Sequence, residues 1–328
     1  MTSDSRHIRI TERVSTRLKL KQVRLLVAID RHASILHAAR EMNISQPAAT
    51  KMVKDLEADF GVSLFERTNR GVVPTDHGAA LVRHGKLILA QIAQAAQELD
   101  DLSEGAGGRV VVGTLLAASV SLVPEAIGRL YVERPKVSVD VREGTNAMLM
   151  PALRLGDVDM VVGRLPEYRH REEIIQEGLY EEQIRVVVRP EHELANTGEV
   201  SMETLAGRAW ILPPPDTTLR RQMDKEFFDH GLEPPAQSVD SVSFLTNRAL
   251  LFGTDFIGAF PYHVVETEIR HGALTALPCV LNRITIPVGV SYRRQGRLSP
   301  AANVFLDHIR AGAAALRGRP DYQESFVS

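Results

Sequence analysis

The chain has little cysteine and no long apolar segment. Its 328 residues include a single cysteine, Cys279, which excludes an intramolecular disulfide and fits a reducing compartment. No apolar run is long enough to span a bilayer, and the opening MTSDSRHIRITERVSTRLK has no apolar centre of the kind found in signal peptides. We therefore expect a cytoplasmic protein that does not associate with membranes.

Sequence patterns typical of catalysis, cofactor binding and metal binding are also absent. The 11 histidines are scattered, and none has cysteine or carboxylate neighbours at the spacing of a metal site. The sequence contains neither a glycine-rich phosphate loop nor a nucleophile elbow. We expect a protein that is not an enzyme and that needs no cofactor.

Charges of both signs are present in nearly equal amounts, but they are unevenly distributed. The whole chain carries 39 Lys and Arg against 41 Asp and Glu, a net charge of -2. Residues 1–75 contain 13 Lys and Arg against 8 Asp and Glu, so this part has a net charge of +5 and the remainder has -7. A basic head on an acidic body is expected when only the head contacts phosphates.

The segment ISQPAATKMVKDLEADFG, residues 44–61, predicts a helix with two different faces. Ser45 is a suitable N-cap, and Pro47 falls in the first turn, where its missing N–H costs nothing. Apolar residues at helical spacing predict the buried face: Ala49, Met52, Val53, Leu56 and Phe60. Another side presents amide, hydroxyl and ammonium groups, on Gln46, Pro47, Thr50, Lys51 and Lys54.

The neighbouring segments favour DNA binding over a merely solvated polar face. Helices are predicted at Leu20–Asp30 and Ile35–Met42, and Asn43 can adopt the left-handed conformation that ends a helix. A small β-hairpin, or wing, is predicted after the third helix and carries Arg67 and Arg70. The third helix fits the major groove, where its amide suits adenine, its proline and threonine methyl suit thymine, and its lysines suit guanine or phosphate. Ser45, at the start of this helix, is included in the predicted DNA-binding surface.

A long helix without proline is predicted from Thr75 to Ser103. Apolar residues at steps of three and four form a coiled-coil seam, in the same register as Gly85: Val82, Leu89, Ile92, Ala96 and Leu99. The seam predicts dimerisation through this helix. Because the helix is short, we expect contacts from other parts of the chain to contribute to the dimer. The following EGAGGR breaks the helix and predicts a hinge at residues 104–108.

Strands and helices alternate beyond the hinge. The first set contains a strand at 109–114, a helix at 122–133 and further strands that contain VSVDV and DMVVG. A second, similar set begins at residue 184, and a strand ITIPVGVSY with a helix from Pro300 to Leu316 closes the chain. This order predicts βαβ units and a mainly parallel sheet in two similar lobes.

Polar residues follow several predicted strands of these lobes. Ligands of α/β lobes bind beyond the carboxyl ends of strands, where helix N-termini offer amide donors to anions. The candidate residues for a small-anion site are Ser119, Thr145, Arg164, Thr217 and Arg220. The motif LPPPDTTLRR, residues 212–221, has an alternative interpretation as a rigid start to a capped helix, in which Arg220 pairs with an acidic neighbour.

Two motifs in the basic head are specific, Ser-Gln-Pro-Ala at residues 45–48 and Leu-Phe-Glu-Arg at residues 64–67. The stretch that contains them, Ala38–Gly78, resembles the DNA-binding module of LysR-type transcriptional regulators. Thr50 and Lys51 stand where serine and arginine are commoner in that family. VDMVVGRLPE, LPPPDTTLRR and SFLTNRALL resemble the subgroup that includes galactose-binding-protein regulators and protocatechuate-pathway regulators.

The resemblance implies an α/β effector domain of two Rossmann-like lobes, similar to periplasmic binding proteins, behind an N-terminal all-α winged helix-turn-helix domain. The expected boundaries are an N-terminal extension at 1–18, the DNA-binding domain at 19–77, the linker helix at 75–103, the hinge at 104–108 and the effector-binding domain at 109–320. Within the last, lobe I covers about 109–183 and 284–320, and lobe II covers about 184–283.

The resemblance also implies a bacterial regulator whose promoter binding or activation responds to a small molecule. The subgroup responds to sugars and to aromatic acids, so we expect a small carboxylate such as an aromatic acid, or a sugar. The expected partners are double-stranded promoter DNA, this effector, copies of the same chain in a dimer and a tetramer, and RNA polymerase.

Two other functional classes remain as alternatives. A constitutive architectural DNA-binding protein would use its lobes only for assembly, and the hydroxyl and arginine side chains at strand ends argue against it. An enzyme or transport-type binding protein with an incidental basic head would need a catalytic set or an N-terminal signal, and the sequence contains neither.

Overall fold

The computed structural model describes residues 17–69, 71–104, 107–166, 173–294 and 296–318. The chain divides into two compact units after Ala96. Within the described ranges, no helix combines the length and the apolar character that a membrane span requires. The expected N-terminal extension, apart from its last two residues, lies outside these ranges, as do Arg70 and residues 105–106 of the predicted hinge.

The amino-terminal unit contains helices and a two-stranded wing. Its elements are α1 (Leu20–His32), α2 (Ile35–Glu41), α3 (Gln46–Phe60), β1 (Phe65–Thr68), β2 (Gly71–Pro74) and the first part of α4 (Asp76–Glu104). The two strands of the wing are antiparallel. The predictions of these helices and of the wing are confirmed, and the helix ends differ from the predicted ends by one or two residues.

Local residue chemistry explains the turn between α2 and α3. Asn43 has a φ of 54°, the left-handed conformation predicted for it. Ser45 caps α3, because its Oγ accepts a hydrogen bond of 3.3 Å from the amide of Ala48. At the other end of α3, Gly61 has a φ of 72° and ends the helix. The sequence therefore sets both ends of this helix.

The start of α4 belongs to the core of the amino-terminal unit. Val82 is 4% exposed and packs in a cluster with Leu26 and Val27 of α1. A Cβ atom on Gly85 would lie 3.0 Å from a methyl group of Val23, so the glycine permits this close approach. Leu89 packs on the same cluster. This differs from the predicted seam, because Val82 and Leu89 contact their own chain.

The carboxyl-terminal unit is an α/β structure, as predicted. Its strands are β3 (Gly108–Thr114), β4 (Val137–Glu143), β5 (Met160–Arg164), β6 (Ile174–Val188), β7 (Trp210–Leu212), β8 (Ser238–Asp240), β9 (Ile257–Pro261), β10 (Thr275–Ala276) and β11 (Thr285–Arg293). Its helices are α5 (Leu116–Ser119), α6 (Leu122–Glu133), α7 (Asn146–Leu155), α8 (Met202–Ala206), α9 (Thr218–Asp229), α10 (Phe244–Gly253), α11 (Tyr262–Arg270), a 3₁₀ helix (Val280–Arg283) and α12 (Pro300–Arg317).

The strands pair in the order β4-β3-β5-β11-β6-β9-β7-β8, with β10 beside β6. β3, β4 and β5 are parallel to one another, and so are β7, β8 and β9. The long strands β6 and β11 are antiparallel to each other and to β9 and β5 respectively. The expectation of a mainly parallel sheet therefore holds at both ends of the sheet and is wrong at its centre.

Two of the hydrophobic cores along this sheet receive residues from both β6 and β11. One core contains Leu179 and Val288 together with α6 and α12. The other contains Ile184 and Ile286 together with Trp210 and α9. Each of the two central strands passes from one core to the other and so connects two lobes. We call the lobe around the first core lobe I and the lobe around the second core lobe II.

Candidate functional site

The polar face predicted on α3 is exposed in the structure. Gln46, Pro47, Lys51 and Lys54 are exposed and Thr50 is half-buried, whereas the apolar residues of the same helix, including Ala49 and Val53, are buried. The cap of Ser45 places the amide and the proline in the first turn. This helix end therefore presents the side chains that can contact base edges in a major groove.

The basic residues of this unit fall into two groups. Arg17, Arg31 and Lys86 form ion pairs with carboxylates of the same unit. Lys51 and Lys54 of α3, and Arg67 of the wing, are exposed and belong to no ion pair within the described residues. Unpaired cations on one side of a helix and on its wing are available to phosphates.

A cleft of about 1090 Å³ lies in the carboxyl-terminal unit and is lined by both lobes. The carboxyl ends of β3, β4 and β5 reach it from lobe I, and those of β7, β8 and β9 reach it from lobe II. The helices α7, α9 and α10 begin at its wall, with Thr145, Thr217 and Ser243 as their N-cap residues. This is the position that the topology of α/β sheets reserves for ligands.

Arg164, the last residue of β5, lines the cleft. Its Nε and Nη2 atoms are buried and have no hydrogen-bond partner among the described residues. The carboxylate of Glu182, whose charge acts on Arg164, is fully buried and lies 3.5 Å from the Nδ1 atom of His263. Burial lowers the pKa of Arg164, and the charges of Glu182 and Tyr180 oppose that effect. As far as the described residues show, the cleft thus contains a guanidinium with two unsatisfied donors.

Thr145 and Thr217 both line the cleft, but their hydroxyls differ in what they bond. The Thr217 hydroxyl donates to the carbonyl of Pro214 at 2.8 Å and accepts from the amide of Arg220 at 3.4 Å. The Thr145 hydroxyl makes no capping bond to the first turn of α7. The structure therefore gives Thr217 a local capping function and leaves the Thr145 hydroxyl available to a ligand.

Ser119 and Arg220 do not line the cleft, in contrast to the prediction. The Ser119 hydroxyl donates to the carbonyl of Leu116 within the short helix α5. Arg220 donates to Asp224 at 2.9 Å and to Asp240 at 2.8 Å. Although burial lowers the pKa of Arg220, these two carboxylates raise it overall. Arg220 therefore joins α9 to β8, which is the pairing considered as the alternative from the sequence.

Two asparagines of the cleft, Asn146 and Asn247, are not among the residues predicted from the sequence. Asn146 begins α7 and donates its amide to the carbonyl of Arg164 at 3.0 Å. Asn247 is 3% exposed and lies on the buried face of α10 with Leu251. Its spacing from Phe244 and Leu251 was a usable signal, because it places a polar amide in an apolar helical stripe.

Comparison with known proteins identifies the family. Residues 20–79 match the family described as bacterial regulatory helix-turn-helix protein, lysR family, and residues 103–314 match the LysR substrate binding domain. The chain belongs to the LysR family of transcriptional regulators. It is therefore a DNA-binding regulator with an effector-binding domain rather than an enzyme.

Individual regulators of the LysR family are similar to this protein along nearly its whole chain. It is 32% identical over 301 residues to the HTH-type transcriptional regulator GbpR of Azospirillum brasilense, which covers 92% of this chain and 88% of the relative. It is 30% identical over 303 residues to the HTH-type transcriptional regulator PcaQ of Agrobacterium fabrum, which covers 92% of this chain and 97% of the relative.

Solved LysR structures share the fold. The crystal structure of CbnR, a LysR family transcriptional regulator, matches with a TM-score of 0.64 at 20% identity, over 90% of this chain and 99% of that chain. Full-length CbnR in complex with its target DNA matches with a TM-score of 0.63 at 19% identity, over 90% of this chain and 100% of that chain. The fold that the LysR resemblance implied is therefore confirmed.

Proposed function

We propose that this LysR regulator controls transcription in response to a small carboxylate that binds in the cleft between lobe I and lobe II. The observation that carries the proposal is Arg164, a cleft guanidinium whose Nε and Nη2 donors have no hydrogen-bond partner in the described part of the chain. Buried donors without hydrogen-bond partners are costly, so a ligand oxygen that accepts from them is strongly favoured. The free Thr145 hydroxyl and the first amides of α7 supply further donors at the same wall.

DNA binding on this proposal uses the exposed face of α3 and the wing. Gln46, Pro47 and Thr50 contact base edges, and Lys51, Lys54 and Arg67 contact phosphates or guanine. The support is their exposure and the absence of ion pairs at the three cations within the described residues. Arg70 was assigned to the same surface and lies outside those residues.

The effector acts through linkage. A ligand that touches both lobes favours the lobe arrangement it binds better, and it changes DNA binding only if that arrangement prefers a different assembly of chains. We place the contact between chains on the later part of α4, where Ile92 is 44% exposed and Leu99 is 65% exposed. A dimer formed through α4 and a tetramer formed through the effector domains would give such an assembly. The contacts of this assembly with RNA polymerase would then depend on the bound effector.

Titration calorimetry with the full-length protein tests the carboxylate site. Benzoate and hydroxylated benzoates should bind, and Arg164→Gln should weaken them at least tenfold while operator binding stays unchanged, because the residue lies in the effector domain. Arg248→Gln is the matched control, since Arg248 pairs with Glu268 outside the cleft. Equal acid affinity in the wild type and Arg164→Gln would contradict the proposal.

A further inference from the structure

The cleft contains unpartnered acceptors as well as unpartnered donors. The Oδ1 atoms of Asn146 and Asn247 are buried and accept no hydrogen bond from the described residues. Both residues line the cleft, Asn146 from lobe I and Asn247 from lobe II. A carboxylate has no donor to offer them, so an unsubstituted acid would satisfy Arg164 and leave both amide oxygens without a partner.

The Asn146 amide has a fixed orientation. Its NH₂ group donates to the backbone carbonyl of Arg164 at 3.0 Å, which directs the oxygen away from that bond. The oxygen is therefore an acceptor on a residue that lines the same cleft as Arg164. Lobe I thus contributes both donors and an acceptor to the cleft.

Asn247 is the more informative of the two residues. It is 3% exposed and occupies, with Leu251, the face of α10 that packs on the domain. An apolar side chain at this position would avoid the cost of burying an unpaired amide oxygen. A polar residue that is buried, unpartnered and at the wall of a cleft indicates a ligand donor, since one added hydrogen bond removes that cost.

We propose that the effector is a hydroxylated carboxylate, whose carboxylate group pairs with Arg164 in lobe I and whose hydroxyl donates to Asn247 in lobe II. This rests on the proposed carboxylate site and adds the second functional group and its partner. A molecule held at both ends bridges the lobes, so its affinity depends on their arrangement. Hydroxylated aromatic acids and sugar acids share this chemistry.

The test is a comparison of probes that differ by one group, titrated calorimetrically into the full-length protein. The aromatic probes are 3,4-dihydroxybenzoate, 4-hydroxybenzoate, benzoate and catechol, and the sugar probes are galactonate and galactose. At least one hydroxylated acid should bind ten times more tightly than benzoate, and catechol and galactose, which lack the carboxylate, should bind at least ten times more weakly than their acids. Whichever of the two series, aromatic or sugar, contains the tighter-binding acid identifies the kind of molecule that carries the hydroxyl.

Asn247→Leu should remove the advantage of the hydroxyl specifically. In this variant the hydroxylated acid should lose at least tenfold in affinity while benzoate keeps its own, so the two acids become similar. Asn303→Leu makes the same chemical change on α12, outside the cleft, and should alter neither affinity. Operator binding and the melting temperature verify that both variants fold, and Asn247→Ala repeats the measurement if Asn247→Leu does not fold.

The outcomes separate this inference from the proposed function. If acids bind through Arg164 but the hydroxyl gives no advantage, or the advantage survives Asn247→Leu and Asn247→Ala, the hydroxylated class is overturned and the carboxylate site stands. If none of the acids binds, both proposals fail. Tight binding of galactose without a carboxylate would overturn both in favour of a neutral sugar.

Discussion

At the scale of residues, hydrogen-bond partners distinguish functional from structural side chains. Arg164 and Arg220 both follow predicted strands of the effector domain and both were candidates for anion binding. Arg220 is satisfied by Asp224, Asp240 and the carbonyl of Pro213, so it holds α9 and β8 together. Two donors of Arg164 have no hydrogen-bond partner among the residues that the structure describes, so it is the one that we propose for the ligand.

The recognition helix α3 offers a prediction at the same scale. Gln46→Ala should cost about 1–3 kcal/mol of discrimination at one base position and leave binding to random DNA nearly unchanged, because a bidentate contact carries sequence information. Lys54→Ala should weaken binding to all sequences and reduce the salt dependence of the affinity, because a phosphate contact releases counterions. Gel-shift titrations over a range of salt concentrations measure both effects.

The comparison of the two α3 variants is its own control. Each variant changes one exposed side chain of the same helix, so a shared loss of folding would affect both and would appear in thermal melting. If both variants lose operator and random DNA equally, the assignment of base and phosphate contacts on this helix is incorrect.

At the scale of elements, α4 has two different environments along its length. Val82 and Gly85 pack on α1 within the chain, whereas Ile92 and Leu99 are exposed. A continuous pattern of apolar residues thus covers a part that stabilises the amino-terminal unit and a later, exposed part, where we propose that two copies of the chain meet. The spacing rule detects both parts, since it depends on the helix and not on what covers it.

Ile92→Glu should disrupt assembly without unfolding the chain. The substitution places a charge where we propose that two copies of α4 meet, and burial of that charge without a partner is costly. Sedimentation velocity should then show a smaller species and weaker operator binding, because one chain contacts only one half-site.

Ala93→Glu is the matched control, since the neighbouring exposed position lies about 100° around the helix and off the seam. It should preserve the mass of the wild type. An unchanged mass in Ile92→Glu as well would remove this part of α4 from the interface between chains.

At the scale of the whole molecule, the chain consists of two compact units with different chemistry. The basic DNA-binding part lies in the unit that ends at Ala96, and the cleft lies entirely in the unit that follows. The units have separate cores, so they can unfold separately. Ligands of each unit should therefore stabilise different parts of the chain.

Calorimetric scans should resolve two unfolding transitions and assign each to its ligand. An acid at a hundred times its dissociation constant should stabilise the effector unit by about 2.7 kcal/mol and leave the other transition in place. Operator DNA should shift the other transition. In Arg164→Gln the acid should lose its effect, and DNA should keep its own. A single transition that both ligands shift together would contradict this independence.

The sequence by itself determined the local structures. The Ser45 cap, the left-handed Asn43, the apolar stripe of α3 and the motifs at residues 45–48 and 64–67 depend on neighbours within a few residues, so they were readable and led to the family. The α/β class and most strands followed from apolar periodicity. The pattern failed at β6, whose first ten residues, IIQEGLYEEQ, mix charged and apolar residues along the centre of the sheet.

Only the tertiary structure decided which polar residues remain without partners. The two carboxylate partners of Arg220 lie 4 and 20 positions further along the chain. The wall of the cleft is formed by strand ends from both lobes. The antiparallel direction of β6 and β11, and their passage from one lobe to the other, are likewise set by pairing between distant segments. Sequence periodicity reports how one element is buried, whereas a binding site depends on which distant elements meet and on the atoms they leave unpaired.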